Sequence, residues 1–286
     1  MKFISYRIDA GVGIALETAG EYRGLTAGGA HFPGTLGDLL RAGEAELRTA
    51  AAILGRYGAR VDPWEVELLP PVDPGKIICI GLNYADHAAE AGLQVPDTPT
   101  VFSRFASSIV GAEAPIVLPK VSSDLDFEGE LAVVIGKRGR HIDVGSALDH
   151  VAGYSCFNDG SIRDYQLRTP QWMIGKNFDR SGSLGPALVT ADALPMGASG
   201  LAIRTRLNGD LVQSSSTREL IFDVATLVSL LSEAFELSPG DVIATGTPAG
   251  VGLARTPPLW MKAGDVCEVE IEGIGTLRNV VQPEPQ

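Results

Sequence analysis

The chain opens with Lys2-Phe3-Ile4-Ser5-Tyr6-Arg7-Ile8, a loosely alternating run of apolar and polar positions that predicts a strand. Gly11 to Glu17 and Tyr22 to Leu25 are its candidate partners. Thr35 stands where an N-cap belongs, ahead of a helix carrying Leu39, Leu40, Leu47 and Leu54. A proline-rich passage follows, Arg60-Val61-Asp62-Pro63 and then Leu69-Pro70-Pro71-Val72-Asp73-Pro74. Proline cannot continue a helix and is disfavoured in a central strand, which places a domain boundary near residue 72. A small α+β unit over 1–71 and a larger unit over 72–286 result. The larger unit reads as many short strands and one clear helix. Ser216-x-x-Glu219 has capping-box spacing, and Leu220, Val224, Leu227, Leu231 and Phe235 recur at steps of three and four. Leu237-Ser238-Pro239-Gly240-Asp241-Val242 and Met261-Lys262-Ala263-Gly264-Asp265-Val266 echo each other as turn-then-strand units. The fold class expected is α+β, dominated by β.

Composition narrows the function. Hydrophobic residues are 45% of the 286, enough for a sizeable core. The net charge of −12, with no Lys/Arg cluster, excludes a nucleic-acid binder and argues against an anionic membrane surface. An anionic substrate would need local cations to overcome that field. Cys79, Cys156 and Cys267 are far apart and lie in apolar runs, so they read as small buried side chains in a reducing compartment, the cytoplasm. The start has no apolar signal-peptide core, and no run of about 18 apolar residues predicts a membrane span.

The strongest chemical signal is Asp124-Leu125-Asp126-Phe127-Glu128-Gly129-Glu130, leading into the apolar run Leu131 to Ile135. In one extended strand, residues 124, 126, 128 and 130 share a face. Carboxylates so close repel one another and lose hydration beside an apolar strand, and a bound cation relieves both. Oxygen ligands suit Mg²⁺, Mn²⁺ or Ca²⁺. A solvated, charged strand edge is the competing reading, and Asp124 and Asp126 could be the solvated part. Asp159, after the strand-like Val151 to Phe157, could supply a third ligand or simply mark a turn. Arg163 and Gln166, three apart, could present donors to a carboxylate if helical, or form a surface contact. Lys176 could hold an enolate or carboxylate oxygen, or be solvated. Asn83 is a candidate helix cap and Gly92 a stop. Between them His87 and Glu90 share a face, a candidate general base with its orienting carboxylate or an exposed ion pair. Gly246-Thr247-Pro248-Ala249-Gly250 is glycine-rich without the Lys-Ser/Thr of a nucleotide loop, so it is a substrate loop or a plain turn.

In this order the segments resemble the fumarylacetoacetate hydrolase family, from Lys76-Ile77-Ile78-Cys79-Ile80-Gly81-Leu82-Asn83-Tyr84 to Gly273-Ile274-Gly275-Thr276-Leu277-Arg278-Asn279. Pro99-Thr100-Val101-Phe102-Ser103-Arg104 and Gly209-Asp210-Leu211-Val212-Gln213 belong to the set, which covers roughly residues 72 to 282. The resemblance implies a mixed β-sandwich roll with a small N-terminal domain, and a homodimer. It implies Mg²⁺ or Mn²⁺ (Ca²⁺ as a substitute) on Glu128, Glu130 and Asp159. It implies that His87 and Glu90 activate water from a lid helix, with Lys176 stabilising developing charge. Tyr84, Arg163, Gln166 and Thr247 would contact substrate. Gly160, Ile162, Asn177 and Ser183 depart from the family pattern, though none removes a ligand or base. The expected activity is metal-dependent cleavage of a carbon–carbon bond in an acylpyruvate-type oxo acid. Oxaloacetate-type decarboxylation and keto-diacid isomerisation are the alternatives.

Overall fold

The computed structural model describes residues 1–9, 11–86 and 97–285. Its centre is a twelve-stranded mixed sheet. The Gly129–Ile135 strand runs inside it, antiparallel to Val151–Asn158 on one side and to Val242–Ala244 on the other. Its side chains alternate between two cores, as a period of two requires. Leu131, Val133 and Ile135 enter one core, Ala132 and Val134 the other. A strand covered on both faces needs a continuous apolar run, and this segment supplies it. The first core is closed by a five-stranded sheet, through Ile203, Val269, Ile271 and Leu277, and by the Val224–Ala234 helix. The second is closed by the Leu36–Ala42 and Glu44–Tyr57 helices. The fold is α+β and β-dominated, as the pattern predicted.

The N-terminal strands form at Lys2–Ile8, Gly11–Thr18 and Glu21–Thr26. Lys2–Ile8 also pairs with Gly182–Thr190, Phe3 opposite Leu188, so the central sheet continues across the proline-rich passage. Thr35 caps its helix in a reciprocal capping box with Asp38. Gly43, at φ 106°, then divides the predicted helix into two, a conformation that a side chain would oppose. Thr35→Ala is expected to cost about 1 kcal/mol, read as a lowered urea midpoint with unchanged slope.

The later helix starts downstream of its predicted cap. Asp223, accepting from the Thr226 N–H, caps Val224–Ala234. Ser216 caps only the single turn Thr217–Glu219, and Leu220 sits in an extended bridge with Tyr84. The cause is Asn83. Its backbone carbonyl accepts from Ile221 N–H, and its side-chain oxygen accepts from Phe222 N–H. That holds the chain extended until residue 223. The Asn83 amide also donates to the Phe222 and Thr245 carbonyls, tying three segments together. The two echoing turns do share a geometry. Gly240 and Gly264 both have positive φ, and Asp241 and Asp265 each accept from the backbone N–H three residues earlier. All three cysteines are buried free thiols. Among the described residues no helix is long and apolar enough to cross a membrane.

Candidate active site

The site forms where the central antiparallel pair ends. Gly129 lies opposite Asn158, and the Asp159 N–H donates to the Glu128 carbonyl at 2.9 Å. Glu128 N–H in turn donates to the Asn158 side chain at 3.1 Å. These bonds bring the residue before one strand beside the residue after its partner. Glu130, within the strand, completes the group: carboxylate oxygens of Glu128, Glu130 and Asp159 lie within 4.8 Å of one another. All three are buried. The turn reading of Asp159 and the solvated-edge reading of Glu128 and Glu130 therefore give way to a buried cluster.

Two short helical turns bring cations to this cluster. Met173–Lys176 ends on Lys176, whose Nζ donates to Glu128 Oε2 at 2.6 Å and to Asp159 Oδ2 at 2.7 Å. Lys176 is 1% exposed, so its solvated-surface reading is excluded. Arg163–Gln166 presents both of its end residues on one face, as the spacing of three predicted. Arg163 Nη1 donates to Gln166 Oε1 at 2.8 Å. The rest of the guanidinium pairs with Asp126 and with Glu128, Nη2 standing 2.7 Å from an oxygen of each. Arg163 is thus engaged by protein carboxylates. Gln166, its oxygen taken by Arg163, lines the cavity beside it.

Asp126 is fully buried, which corrects its expected place in a solvated edge. The strand does not continue back through it. Leu125–Asp126 forms a separate two-stranded ladder with Ser161–Ile162. The backbone N–H groups of Phe127, Gly252 and Leu253 donate to the Asp126 carboxylate. That holds it to the loop after residue 250 and to Arg163, which bridges it to Glu128.

Electrostatics distinguish the members. Burial first, then the charges of Asp159 and Glu128, pushes the Glu130 carboxyl well above the usual carboxylate range. Gly246 N–H, at 2.9 Å, and the more distant Lys176 relieve it only partly. Burial pulls Lys176 down, but Asp159 and Glu128 more than offset this and leave it raised and protonated. Lys176, Arg163 and Arg104 pair with Glu128, Asp159 and Asp126, and among the described residues no cation stands at ion-pair distance from Glu130. A divalent cation on the three clustered carboxylates would stabilise the ionised form of Glu130. The donor set, all oxygen and strongly anionic, fits such an ion.

Glu128 and Glu130 of the cluster line a cavity of about 160 Å³, together with Arg163, Gln166, Lys176 and Thr247 on its polar side. Thr247 Oγ1 donates to the Gly129 carbonyl and accepts from Gln213 Nε2, so its hydroxyl holds the loop in place. Gly246 lets that loop approach: its φ is 101°, and a Cβ there would stand 2.8 Å from the Asn83 Cβ. Tyr84 is fully buried and is not among the described residues lining the cavity. Burial, with a contribution from Glu130, raises its phenol pKa. His87, Glu90 and the helix stop at Gly92 lie outside the described residues.

Residues 76–282 match the family model for the C-terminal domain of fumarylacetoacetate (FAA) hydrolase. The chain belongs to the fumarylacetoacetate hydrolase family. The mitochondrial oxaloacetate tautomerase fahd2 of Xenopus laevis is 44% identical over 273 residues, covering 94% of this chain and 85% of the relative. The mitochondrial oxaloacetate tautomerase FAHD2A of Homo sapiens is 43% identical, covering 98% and 91%. A fumarylacetoacetate hydrolase from psychrophilic Exiguobacterium antarcticum superposes with a TM-score of 0.86 at 38% identity, covering 99% of this chain and all of that one. The maleylpyruvate hydrolase of Sphingobium sp. SYK-6, solved with manganese(II) and pyruvate, superposes at 0.82 with 29% identity over the full length of both chains. This chain is therefore an enzyme of that family.

Sequence reasoning gave no role to Gln213, Arg104, or the apolar rim of Phe102, Leu167, Trp172 and Leu253. Gln213 accepts from Gly129 N–H and donates to Thr247 and to the Pro248 carbonyl, joining the ligand strand to the loop. Gly160, a departure from the family pattern, packs where any Cβ would stand 1.9 Å from the Ser181 carbonyl.

Proposed function

We propose that this enzyme uses Mg²⁺ or Mn²⁺ to enolise a small 2-oxo acid of the oxaloacetate kind, interconverting its keto and enol forms. The observation that carries the reading is the convergence of three carboxylates within 4.8 Å, two of them lining a small cavity, with a buried lysine bonded to two of the three. A divalent cation held by Glu128, Glu130 and Asp159 would supply a Lewis acid for the 2-oxo and carboxylate oxygens. In enolisation a proton leaves C3, its electron pair enters the C2–C3 bond, and the oxygen on C2 gains negative charge. The Lys176 ammonium, whose N–H groups are engaged by Glu128 and Asp159, supplies positive charge beside that oxygen. The Gln166 amide, turned toward the cavity by Arg163, donates to the substrate carboxylate. His87, in the His87-x-x-Glu90 spacing, is the candidate base for the C3 proton. Local positive charge then answers the difficulty of an anionic substrate in a protein of net charge −12. The oxaloacetate tautomerases at 43–44% identity support this choice among reactions that share the enolate.

Hydrolysis of an acylpyruvate is the second reading, favoured by the maleylpyruvate hydrolase neighbour and by the His87-x-x-Glu90 spacing. There His87 would take its proton from water. The hydroxide would attack the distal carbonyl, and the bond would break with its electron pair on pyruvate as the same enolate.

The test follows conversion of enol-oxaloacetate to the keto form by ultraviolet absorbance, beside pyruvate release from oxaloacetate and from acylpyruvates. Catalysed ketonisation should fall to the uncatalysed rate in EDTA and return with Mg²⁺ or Mn²⁺. Pyruvate release from an acylpyruvate without ketonisation would replace the first reading by the second.

A further inference from the structure

We infer that Arg104 is a positioning residue for the cation site, fixing Asp159 so that one carboxylate oxygen is held by the protein and the other is presented to the ion. The inference rests on the reading of Glu128, Glu130 and Asp159 as cation ligands.

Arg104 ends the Thr100–Arg104 strand, and its side chain has no exposure. A guanidinium has five N–H donors in a rigid fork. Here each finds an acceptor. Nη1 donates to Asp159 Oδ1 at 2.6 Å and to the Gly160 carbonyl at 2.9 Å. Nε donates to Ser108 Oγ at 3.1 Å. Nη2 donates to Ser181 Oγ at 2.7 Å and to the Ser108 carbonyl at 3.4 Å. A fork saturated from several directions has little freedom to turn. It engages Oδ1 of Asp159 alone. Oδ2 accepts instead from Lys176 Nζ at 2.7 Å, and the same ammonium donates to Glu128 Oε2 at 2.6 Å, which brings those two oxygens together.

Two further features hold this arrangement. Gly182 lies under the guanidinium, where a Cβ would stand 2.8 Å from Cζ and from Nη2. Asn177, next to Lys176, accepts from the Phe105 N–H and donates to the Ser103 carbonyl, on either side of Arg104. The strand carrying Arg104 and the turn carrying Lys176 are thereby fixed together. Lysine could keep the charge at position 104, but three donors on one nitrogen cannot reach Ser108, Ser181 and Asp159 at once.

The experiment measures Mn²⁺ binding by calorimetry, and turnover across a Mn²⁺ titration, for wild type, R104K, R104M and S181A. Outer partners of metal ligands are typically worth about 10- to 100-fold in metal affinity, and R104M should fall in that range. R104K should recover part of the loss. S181A, which keeps the guanidinium but removes one anchor, should lose less than R104M. Saturating Mn²⁺ should restore most of the turnover of R104K and S181A, which a general loss of structure would not allow. If R104M does not fold, the other two variants decide. Wild-type Mn²⁺ affinity in folded R104K and S181A overturns the inference alone. A wild type that binds no Mn²⁺ overturns both the inference and the reading of the triad.

Discussion

Glu130→Gln is expected to remove metal-dependent turnover while leaving the metal-free protein at least as stable as wild type. Glu130 is 1% exposed and faces two other carboxylates. Among the described residues its direct hydrogen-bond partner is the Gly246 N–H. A buried carboxylate in that position is costly unless a cation joins it. The amide keeps the shape and can still accept from Gly246, but it carries no charge for a divalent ion. Cation affinity should fall by more than the ~100-fold seen when only an outer partner is lost. Thermal melts check both halves. Wild type should gain about 2.7 kcal/mol from Mn²⁺ at one hundred times its dissociation constant, and Glu130→Gln almost none. Glu128→Gln should behave differently without metal. It strips a carboxylate from Lys176 and Arg163, and breaking such a buried pair costs roughly 3–5 kcal/mol. Equal melting behaviour of the two variants would show that Lys176 and Arg163 do not divide the cluster as described.

Lys176→Met is the second large effect. Its ammonium stands among the carboxylates beside the cavity, with the Phe102 ring 5.1 Å away. Removing a group that stabilises a developing oxyanion typically costs about 10²–10³ in turnover. Mn²⁺ affinity should not weaken, because the variant removes a positive charge from the ligand oxygens. That combination, lost turnover with retained binding, separates charge stabilisation from ligand assembly. Turnover within a few-fold of wild type would exclude Lys176 from the chemistry.

Much of the site was legible because its chemistry is unusual in sequence. Carboxylates running into an apolar strand violate the rule that charges stay solvated, and this exposed Glu128 and Glu130 as candidates. The i,i+3 relation of Arg163 and Gln166 was readable because helical geometry is local. What each charge touches was not readable. Asp126 belongs to the same alternating pattern as Glu128, yet a break in the strand sends it to Arg163 and the loop after Gly250. Arg104 gave no signal, since apart from the nearby Ser108 its partners Asp159, Gly160 and Ser181 are 55 to 77 residues away in sequence. The same limit shifted a helix boundary. Ser216 and Glu219 had the right spacing, but Asn83, far away in sequence, held residues 221 and 222 extended and left the cap to Asp223. The Gly43 break needed only a local argument: a glycine between two helical runs can take the positive φ that ends the first.

The most direct measurement is anomalous diffraction from crystals grown with Mn²⁺ and oxalate, a planar mimic of a 2-oxo acid enolate. The account predicts one manganese peak bonded to Glu128, Glu130 and Asp159, with oxalate chelating it beside Lys176 and Gln166. No peak at the triad, or an ion held elsewhere with oxalate away from Lys176, would contradict it.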